Sequence, residues 1–249
     1  MRFSDLARCA PDDVRRWLLI RKRKIKKGAH VCHAAASEGN IRILRWALSH
    51  HLPWSAFTCA AAAANGHLET LRWLRHNHCD WDERTCSSAA LSGRLSIVRW
   101  AHENGCLWDE MTSAFAALRG HLKLLKWALS HGCPRDENTC SFAAGSGQLK
   151  ALKCARKRDC PWNATTCASA SQYGRFEVLR WARRKGCPWD WRTSAWAARR
   201  GDLQMLTWAR RRACPWSLSA CASAGHTRNL SVPRWMRSNN CPCAGAMHI

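Results

Sequence analysis

The sequence predicts an all-α fold, a solenoid of helix-turn-helix units, and three observations predict it: a tryptophan register with a period of 27, N-cap residues on the same period, and an apolar arc too wide for a solvent-facing helix. The register runs through Trp46, Trp73, Trp100, Trp127, Trp181, Trp208 and Trp235, with Cys154 filling its one gap. A second register holds Trp54, Trp81, Trp108, Trp162, Trp189 and Trp216, interrupted by Arg135 and Cys243. A third holds Cys32, Cys59, Cys86, Ser113, Cys140, Cys167, Ser194 and Cys221, so eight units cover residues 32–249.

Residues 82–108 serve as the example unit. Asp82 stands where an N-cap is needed, and its equivalents Ser55, Asp109, Asp136, Asn163, Asp190 and Ser217 can all accept from the orphan N–H groups of a first turn. The first helix, Glu83 to Ser92, carries the small residues Cys86, Ala89 and Ala90 and stops at Gly93, a residue type suited to a left-handed cap. The second runs from about Leu95 to Asn104. At 100° per residue Leu95, Ile97, Val98, Trp100 and Ala101 cover over half its circumference, leaving Ser96, Arg99 and Glu103 for solvent. Such a helix needs neighbours on several sides, and the alanines of the first helix let adjacent units approach closely. The link Gly105-Cys106-Leu107-Trp108 is too short for a substantial β-hairpin.

The ends depart from this pattern. Residues 1–31 echo the register weakly, Val14 standing for Ile41, Trp17 for Leu44 and Leu19 for Trp46, with Pro11, Asp12 and Asp13 suited to a helix start. This segment is expected to be a degenerate N-terminal capping repeat, followed by the solenoid at 32–240 and a tail at 241–249. In the last unit Arg228 replaces the turn glycine and Pro233 falls inside the second helix, where it is expected to kink or break it.

The order Thr85-Cys86-Ser87-Ser88-Ala89-Ala90, then Gly66-His67-Leu68 or Gly120-His121-Leu122, then Trp-Ala and a closing Gly186-Cys187-Pro188-Trp189 resembles the ankyrin-repeat pattern. The unit is six residues shorter than the 33-residue ankyrin repeat, the deletion falling in the hairpin. It carries Cys-Pro-Trp where ankyrins have a polar loop, and in this it is similar to repeat proteins of large DNA viruses of protists. The resemblance implies a viral protein and a protein-binding scaffold, without naming a partner.

Chemistry is not supported by the columns. The cysteine pairs Cys79 with Cys86, Cys133 with Cys140 and Cys160 with Cys167 lose a member elsewhere to Ser113, Ser194 or Leu52, which a ligand set would not tolerate. The cysteines are read as small buried hydrophobes, with no metal and no cofactor expected. Cys241, Cys243 and His248 in the tail offer only three donors. His67 and His121 share a turn column with Asn40, Arg94, Gln148, Arg175 and Asp202, and no nucleophile, base and orienter converge, so no catalytic residue is assigned. The Trp100 column is read as core between units; the Pro-Trp column, beside a short loop, has more chance of exposure.

Charge is where the repeats differ. Lys and Arg outnumber Asp and Glu by 40 to 17, a net +23, distributed as +7 over residues 1–31, +1 over 32–139 and +15 over 140–249. Three triplets share one register at the end of the second helix: Arg156-Lys157-Arg158, Arg183-Arg184-Lys185 and Arg210-Arg211-Arg212. Stacked about 10 Å apart, near the Debye length, they would form a ridge for an acidic partner. Basic residues also suit a helix C-terminus, but Lys153 with Lys157 and Arg180 with Arg184 set like charges four apart. The run Arg21, Lys22, Arg23, Lys24, Ile25, Lys26 and Lys27 resembles a nuclear-import signal or an anion-binding arm.

The sequence therefore leads to a non-enzymatic, monomeric interaction scaffold whose partner is a protein, for which an acidic surface would fit. The competing reading is sequence-independent nucleic-acid binding along the basic repeats. No run of about eighteen apolar residues and no secretory signal is present, so no membrane insertion is expected and the location is read as intracellular, in host cytoplasm or nucleus if viral.

Overall fold

The computed structural model describes residues 10–21, 28–217 and 231–239. The chain divides into two compact units, residues 1–112 and 113–249. Among the described residues every regular element is a helix. The first unit holds α1 (Asp12–Ile20), α2 (Gly28–Ser37), α3 (Ile41–Ser49), α4 (Ala56–Asn65), α5 (Leu68–His76), α6 (Glu83–Leu91) and α7 (Leu95–Glu103). The boundary falls in the first turn of α8 (Glu110–Arg119). The second unit continues with α9 (Leu122–Ser130), α10 (Glu137–Ser146), α11 (Leu149–Arg156), α12 (Ala164–Gln172), α13 (Phe176–Arg184), α14 (Trp191–Arg200), α15 (Leu203–Arg210) and α16 (Ser231–Ser238).

The helix starts follow from the cap column. Asp82 accepts from the backbone N–H of Arg84 at 3.1 Å, Asp136 from Asn138 at 2.9 Å, Asn163 from Thr165 at 2.9 Å and Asp190 from Arg192 at 3.0 Å. Ser55 and Thr58 exchange bonds as a capping box. The segment that Ser217 would cap lies outside the described residues. First helices end on a left-handed glycine, Gly93 having φ +72° and Gly147 φ +84°, a region where a Cβ would be strained.

Within each unit the first helices of successive repeats pack side by side, α2, α4 and α6 in one and α10, α12 and α14 in the other, and each packs on the second helix that follows it. Close approach requires small side chains, and Ala62, Ala63, Ala89 and Ala90, like Ala143, Ala144, Ala170, Ala197 and Ala198, are wholly buried. The second helices supply the bulk, with Leu71, Leu74, Ile97 and Val98 buried in the first unit and Leu124, Leu125, Leu152 and Leu179 in the second.

The tryptophan column read as core between units is mostly half-buried. Of that column only Trp46 is buried; Trp73, Trp100, Trp127, Trp181, Trp208 and Trp235 are half-buried. Four loop tryptophans pack edge to face against the helix tryptophan nineteen residues on, Trp54 with Trp73 at 6.1 Å, Trp81 with Trp100 at 5.7 Å, Trp162 with Trp181 at 6.1 Å and Trp189 with Trp208 at 5.8 Å between ring centroids, and Trp216 stacks on Trp235 at 6.2 Å. Two of the gaps in the registers thereby become one event, since Arg135 and Cys154 are also nineteen apart and lose both partners together.

Two end expectations change. Helix α1 forms where Pro11, Asp12 and Asp13 predict a start, but it buries Val14, Trp17 and Leu18 while Leu19 is exposed. Those residues match Ile43, Trp46 and Ala47 at a spacing of 29, not the 27 assumed for Leu19, because the link before α2 is longer. Trp17 Nε1 donates to Glu38 at 2.8 Å and fixes α1 on the first full repeat. Pro233 does not break its helix: α16 begins at Ser231, so Pro233 sits in the first turn, whose N–H groups have no intrahelical acceptor. Arg228 lies outside the described residues.

Candidate functional site

The first helices have one face fixed by packing and one that is not. Their buried side repeats nearly the same residues: Thr85, Thr139, Thr166 and Thr193, then Cys86, Cys140, Cys167 and Ser194, then paired small residues. Their outward stripe, at i, i+4, i+7 and i+8, changes in every repeat. It reads Arg84, Ser88, Leu91, Ser92 on α6; Asn138, Phe142, Gly145, Ser146 on α10; Thr165, Ser169, Gln172, Tyr173 at α12; and Arg192, Trp196, Arg199, Arg200 on α14.

In the second unit this stripe forms a groove of about 630 Å³ between α8, α10 and α12. Phe115 and Phe142 stack along it with centroids 6.3 Å apart, and Tyr173, 54% exposed, closes the far wall. Gly145 makes the groove possible. A Cβ there would lie 3.1 Å from Cδ2 of Tyr173, so glycine in mid-helix, costing about 1 kcal/mol relative to alanine, lets the ring lie down against the backbone. Arg175 bridges beneath, its Nε donating to the Gly145 carbonyl at 3.2 Å, and Arg200 reaches the Gln172 carbonyl at 3.4 Å.

Arg175 also explains the histidine column. His67 Nε2 lies 3.1 Å from the Ser37 carbonyl, thirty residues back, as Arg175 does from Gly145. The turn position supplies a bond to the preceding repeat, which His or Arg can provide, whereas Asn40 and Asp202 turn inward and cap their own helices.

Within each unit the described cysteines are buried. First-helix thiols meet the carbonyl of the residue twenty positions on: Cys32 Sγ lies 4.0 Å from the Leu52 carbonyl, Cys59 Sγ 3.9 Å from that of Cys79 and Cys140 Sγ 3.8 Å from that of Cys160. Ser113 and Ser194 donate to the equivalent carbonyls of Pro134 and Pro215 at 3.1 and 2.8 Å, which is why serine substitutes there. Burial pushes the thiols of Cys32, Cys140 and Cys214 up to about 12 and that of Cys160 to about 11; the side-chain bonds to Cys79 and Cys187 push Cys59 and Cys167 up as well. Among the described residues no three His, Cys, Asp or Glu side chains are grouped to hold a metal ion. Cys241, Cys243 and His248 lie outside them.

The three basic triplets sit at the ends of α11, α13 and α15, and their members have different tasks. The first arginine in each is part of the loop. Arg156 donates to the Cys160 carbonyl with its guanidinium 4.2 Å over Trp162; Arg183 does the same with Cys187 and Trp189; Arg210 lies 5.3 Å over Trp216. Arg75 and Trp81 repeat the arrangement, and His102 stacks 3.8 Å from Trp108. Where the loop tryptophan is lost at Arg135, the partner position holds Leu129.

The third member replaces a cap. In other repeats this position turns back on the carbonyl of the helix tryptophan: His50 on Trp46 at 2.9 Å, Asn77 on Trp73 at 2.8 Å, Asn104 on Trp100 at 2.7 Å, His131 on Trp127 at 2.8 Å and Asn239 on Trp235 at 2.8 Å. Arg158, Lys185 and Arg212 interrupt that series. Arg158 donates to the Cys154 sulfur at 3.5 Å instead, while at Lys185 and Arg212 a net hydrogen bond of about 0.5–1.5 kcal/mol is given up, and Lys157 beside Lys153 and Arg184 beside Arg180 add like-charge repulsion of a few tenths. Among the described residues none of the nine triplet cations pairs with a carboxylate. Arg180 does, with Glu177 at 3.2 Å, which relieves the expected repulsion with Arg184. In the N-terminal run Arg21 is tied to Glu38 at 2.6 Å and lies 4.7 Å over Trp17; Lys22, Arg23, Lys24, Lys26 and Lys27 lie outside the described residues.

The arrangement of paired short helices with a varied outer stripe meets a sequence-family match at this point. Residues 32–75 match the family described as ankyrin repeats (many copies). The ankyrin-repeat domain of human ASB11 is similar in structure, with a TM-score of 0.50 and 16% identity over 63% of this chain and 84% of that one. The pentatricopeptide repeat protein PPR10, solved in complex with an 18-nucleotide psaJ RNA element, has a TM-score of 0.50 and 15% identity over 85% of this chain and 38% of that one. At these identities both likenesses concern the fold, a helical repeat array. Among curated proteins none matches. No helix among the described residues is long and apolar enough to cross a membrane.

Proposed function

We propose that the chain is a non-enzymatic interaction scaffold whose partner is a protein, taken up on the outward stripe of α8, α10, α12 and α14. The observation that supports this reading most is the contrast within each first helix: packing holds one face to Thr, Cys or Ser, and Ala, while the other carries a different side chain in every repeat and collects Phe115, Phe142 and Tyr173 around one groove. An ankyrin-like unit with that division of labour uses the free face for recognition, and aromatic side chains half-exposed in a concavity are the type that dominates binding energy. Arg175, Arg199 and Arg200 along the same face favour a partner with acidic residues flanking its apolar anchor, and the overall positive charge adds long-range attraction.

The test compares proteins captured from cell extract by the intact chain and by variants. Phe142→Ala with Tyr173→Ala, and separately Gly145→Leu, which fills the groove instead of emptying it, are expected to reduce retention of the captured partner by about thirtyfold, the equivalent of a 2 kcal/mol hot spot. Lys157→Glu with Arg184→Glu is expected to leave it held at physiological salt. Retention that ignores the groove variants and is lost with the charge reversals would refute the assignment of this face.

A further inference from the structure

We infer that the ends of α11, α13 and α15 form a second, separate site that binds single-stranded nucleic acid. Two concavities one repeat apart carry the inference. The first, about 390 Å³, is lined by Lys153, Arg156, Lys157, Trp162, Trp181 and Lys185. The second, about 600 Å³, includes Arg180, Trp208, Arg211 and Arg212. Lys153, Trp181 and Lys185 become Arg180, Trp208 and Arg212 on adding 27, so each concavity is a half-buried indole flanked by two cations. Lys153 Nζ stands 5.9 Å from the Trp181 centroid and the Arg212 guanidinium 4.7 Å from that of Trp208.

The first unit supplies the internal comparison. There Arg72 also lies over Trp100, at 5.8 Å, but the third corner is Asn104, folded back on the Trp100 carbonyl. The same corner is Asn77 beside Trp73. Only in consecutive repeats of the second unit does the cap give way to a cation, and those are the repeats whose preceding residue also becomes Lys157, Arg184 and Arg211 in place of Ser49, His76, Glu103 or Ser130. Helix-end electrostatics would be met equally by one cation per helix and does not call for losing the cap.

The occupant follows from the repeating unit. A ligand matching this surface offers, at each step, an anion for the cations and a flat ring for the indole. A nucleotide has both; an acidic peptide has the anion alone, and an anionic membrane would call for exposed aliphatic residues beside the cations, whereas the neighbours here are indoles and guanidiniums. Bases are free to meet an indole in a single strand and are stacked away in a duplex. Helical repeats stacked about 10 Å apart suit an extended strand placing one nucleotide per repeat. Sequence preference is not expected, because the contacts are to phosphate and ring faces.

The experiment is fluorescence anisotropy of the full chain with a labelled 12-nucleotide oligo-uridine at 50 mM salt, with intrinsic tryptophan emission read in parallel. Binding is expected, with quenching of tryptophan emission and an affinity falling with log salt by about 0.7 per phosphate engaged. Lys157→Glu, Lys185→Glu and Arg211→Glu together are expected to weaken it at least tenfold. Arg119→Glu, Arg199→Glu and Arg200→Glu, an equal change in net charge on the other face, should change it less than threefold. Should the first triple variant fail to fold by circular dichroism, the Gln versions are used and read as a reduced salt slope. No binding at 50 mM salt, equal loss in both triple variants, tighter binding of a duplex of the same length, or equal displacement by poly-glutamate would each overturn the proposal. Its outcome is independent of the groove variants, which lie on the first helices.

Discussion

Raising the pH above about 9 is expected to unfold the protein steeply, and the cysteine column is the reason. In the folded chain Cys32, Cys140 and Cys214 keep their protons to about 12 and Cys160 to about 11, against an ordinary value of 9.0. Above pH 9 the unfolded chain therefore releases protons that the folded chain retains, so the unfolded state binds fewer protons and stability falls as pH rises. The loss begins at the unfolded value and levels off only as the folded values are reached. Each such thiol removes up to about 1.4 kcal/mol per pH unit, so four of them remove several kcal/mol between about pH 9 and 11, a large part of a typical domain's stability. Urea midpoints measured in reducing buffer across that range check it. Cys140→Ser should flatten the profile by about one quarter of the contribution of these four while keeping the fold, since Ser113 and Ser194 already occupy that column and donate to Pro134 and Pro215. A flat alkaline profile would mean the column is accessible to water.

A second large effect is expected from Ala170→Leu. Ala170 is wholly buried on α12, which packs between α10 and α14, and the small residues on these helices set how closely they approach. Three added carbons have no space to enter, and overpacking of this kind costs about 1–3 kcal/mol or more. Because each repeat is held by its nearest neighbours, the damage should spread along the array from α12 instead of averaging over the chain. Hydrogen exchange that accelerates in α10, α12 and α14 and leaves α4 and α6 unchanged is the expected pattern. Uniform acceleration in all of them would show that the two units unfold as one.

What could be read from the residues was whatever the period of 27 constrains. The helix starts were legible because a cap is a local device: Asp82, Asp136, Asn163 and Asp190 act on residues two positions away. The helix stop at Gly93 was legible for the same reason, as was the absence of room for a hairpin. Contacts across repeats were not. The nineteen-residue pairing of Trp162 with Trp181 links two registers that look independent in sequence, and it alone turns Arg135 and Cys154 into a single substitution. The N-terminal register failed by two residues because the link after Arg21 is not bound by the period. Pro233 was misjudged because its place in a helix depends on where that helix begins.

The candidate faces were legible in part. Aligned columns revealed the triplets, but composition could not separate Arg156, Arg183 and Arg210, which stack on loop tryptophans, from Lys157, Lys185 and Arg211, which do not. The cap column that Arg158, Lys185 and Arg212 interrupt is visible in the sequence as His50, Asn77, Asn104 and His131, yet its meaning needs the distance to the Trp carbonyl. The groove was missed altogether. Phe115 and Phe142 share one position of the period, but Ser88 and Ser169 stand there in the flanking repeats and Tyr173 falls four residues further along its own, so no aromatic column marks the groove; the other signal was Gly145, a glycine inside a helix that ends two residues later on another glycine.

The central claim is that the varied stripe of the first helices is the recognition face. It is tested most directly by hydrogen exchange on the complex with a protein captured from extract, resolved to residue level. The account predicts slowed exchange in the C-terminal halves of α8, α10 and α12, around residues 115–119, 142–146 and 169–173, with α11 and α13 unchanged. Protection confined to α11, α13 and α15, with the groove exchanging as in the free chain, would contradict it.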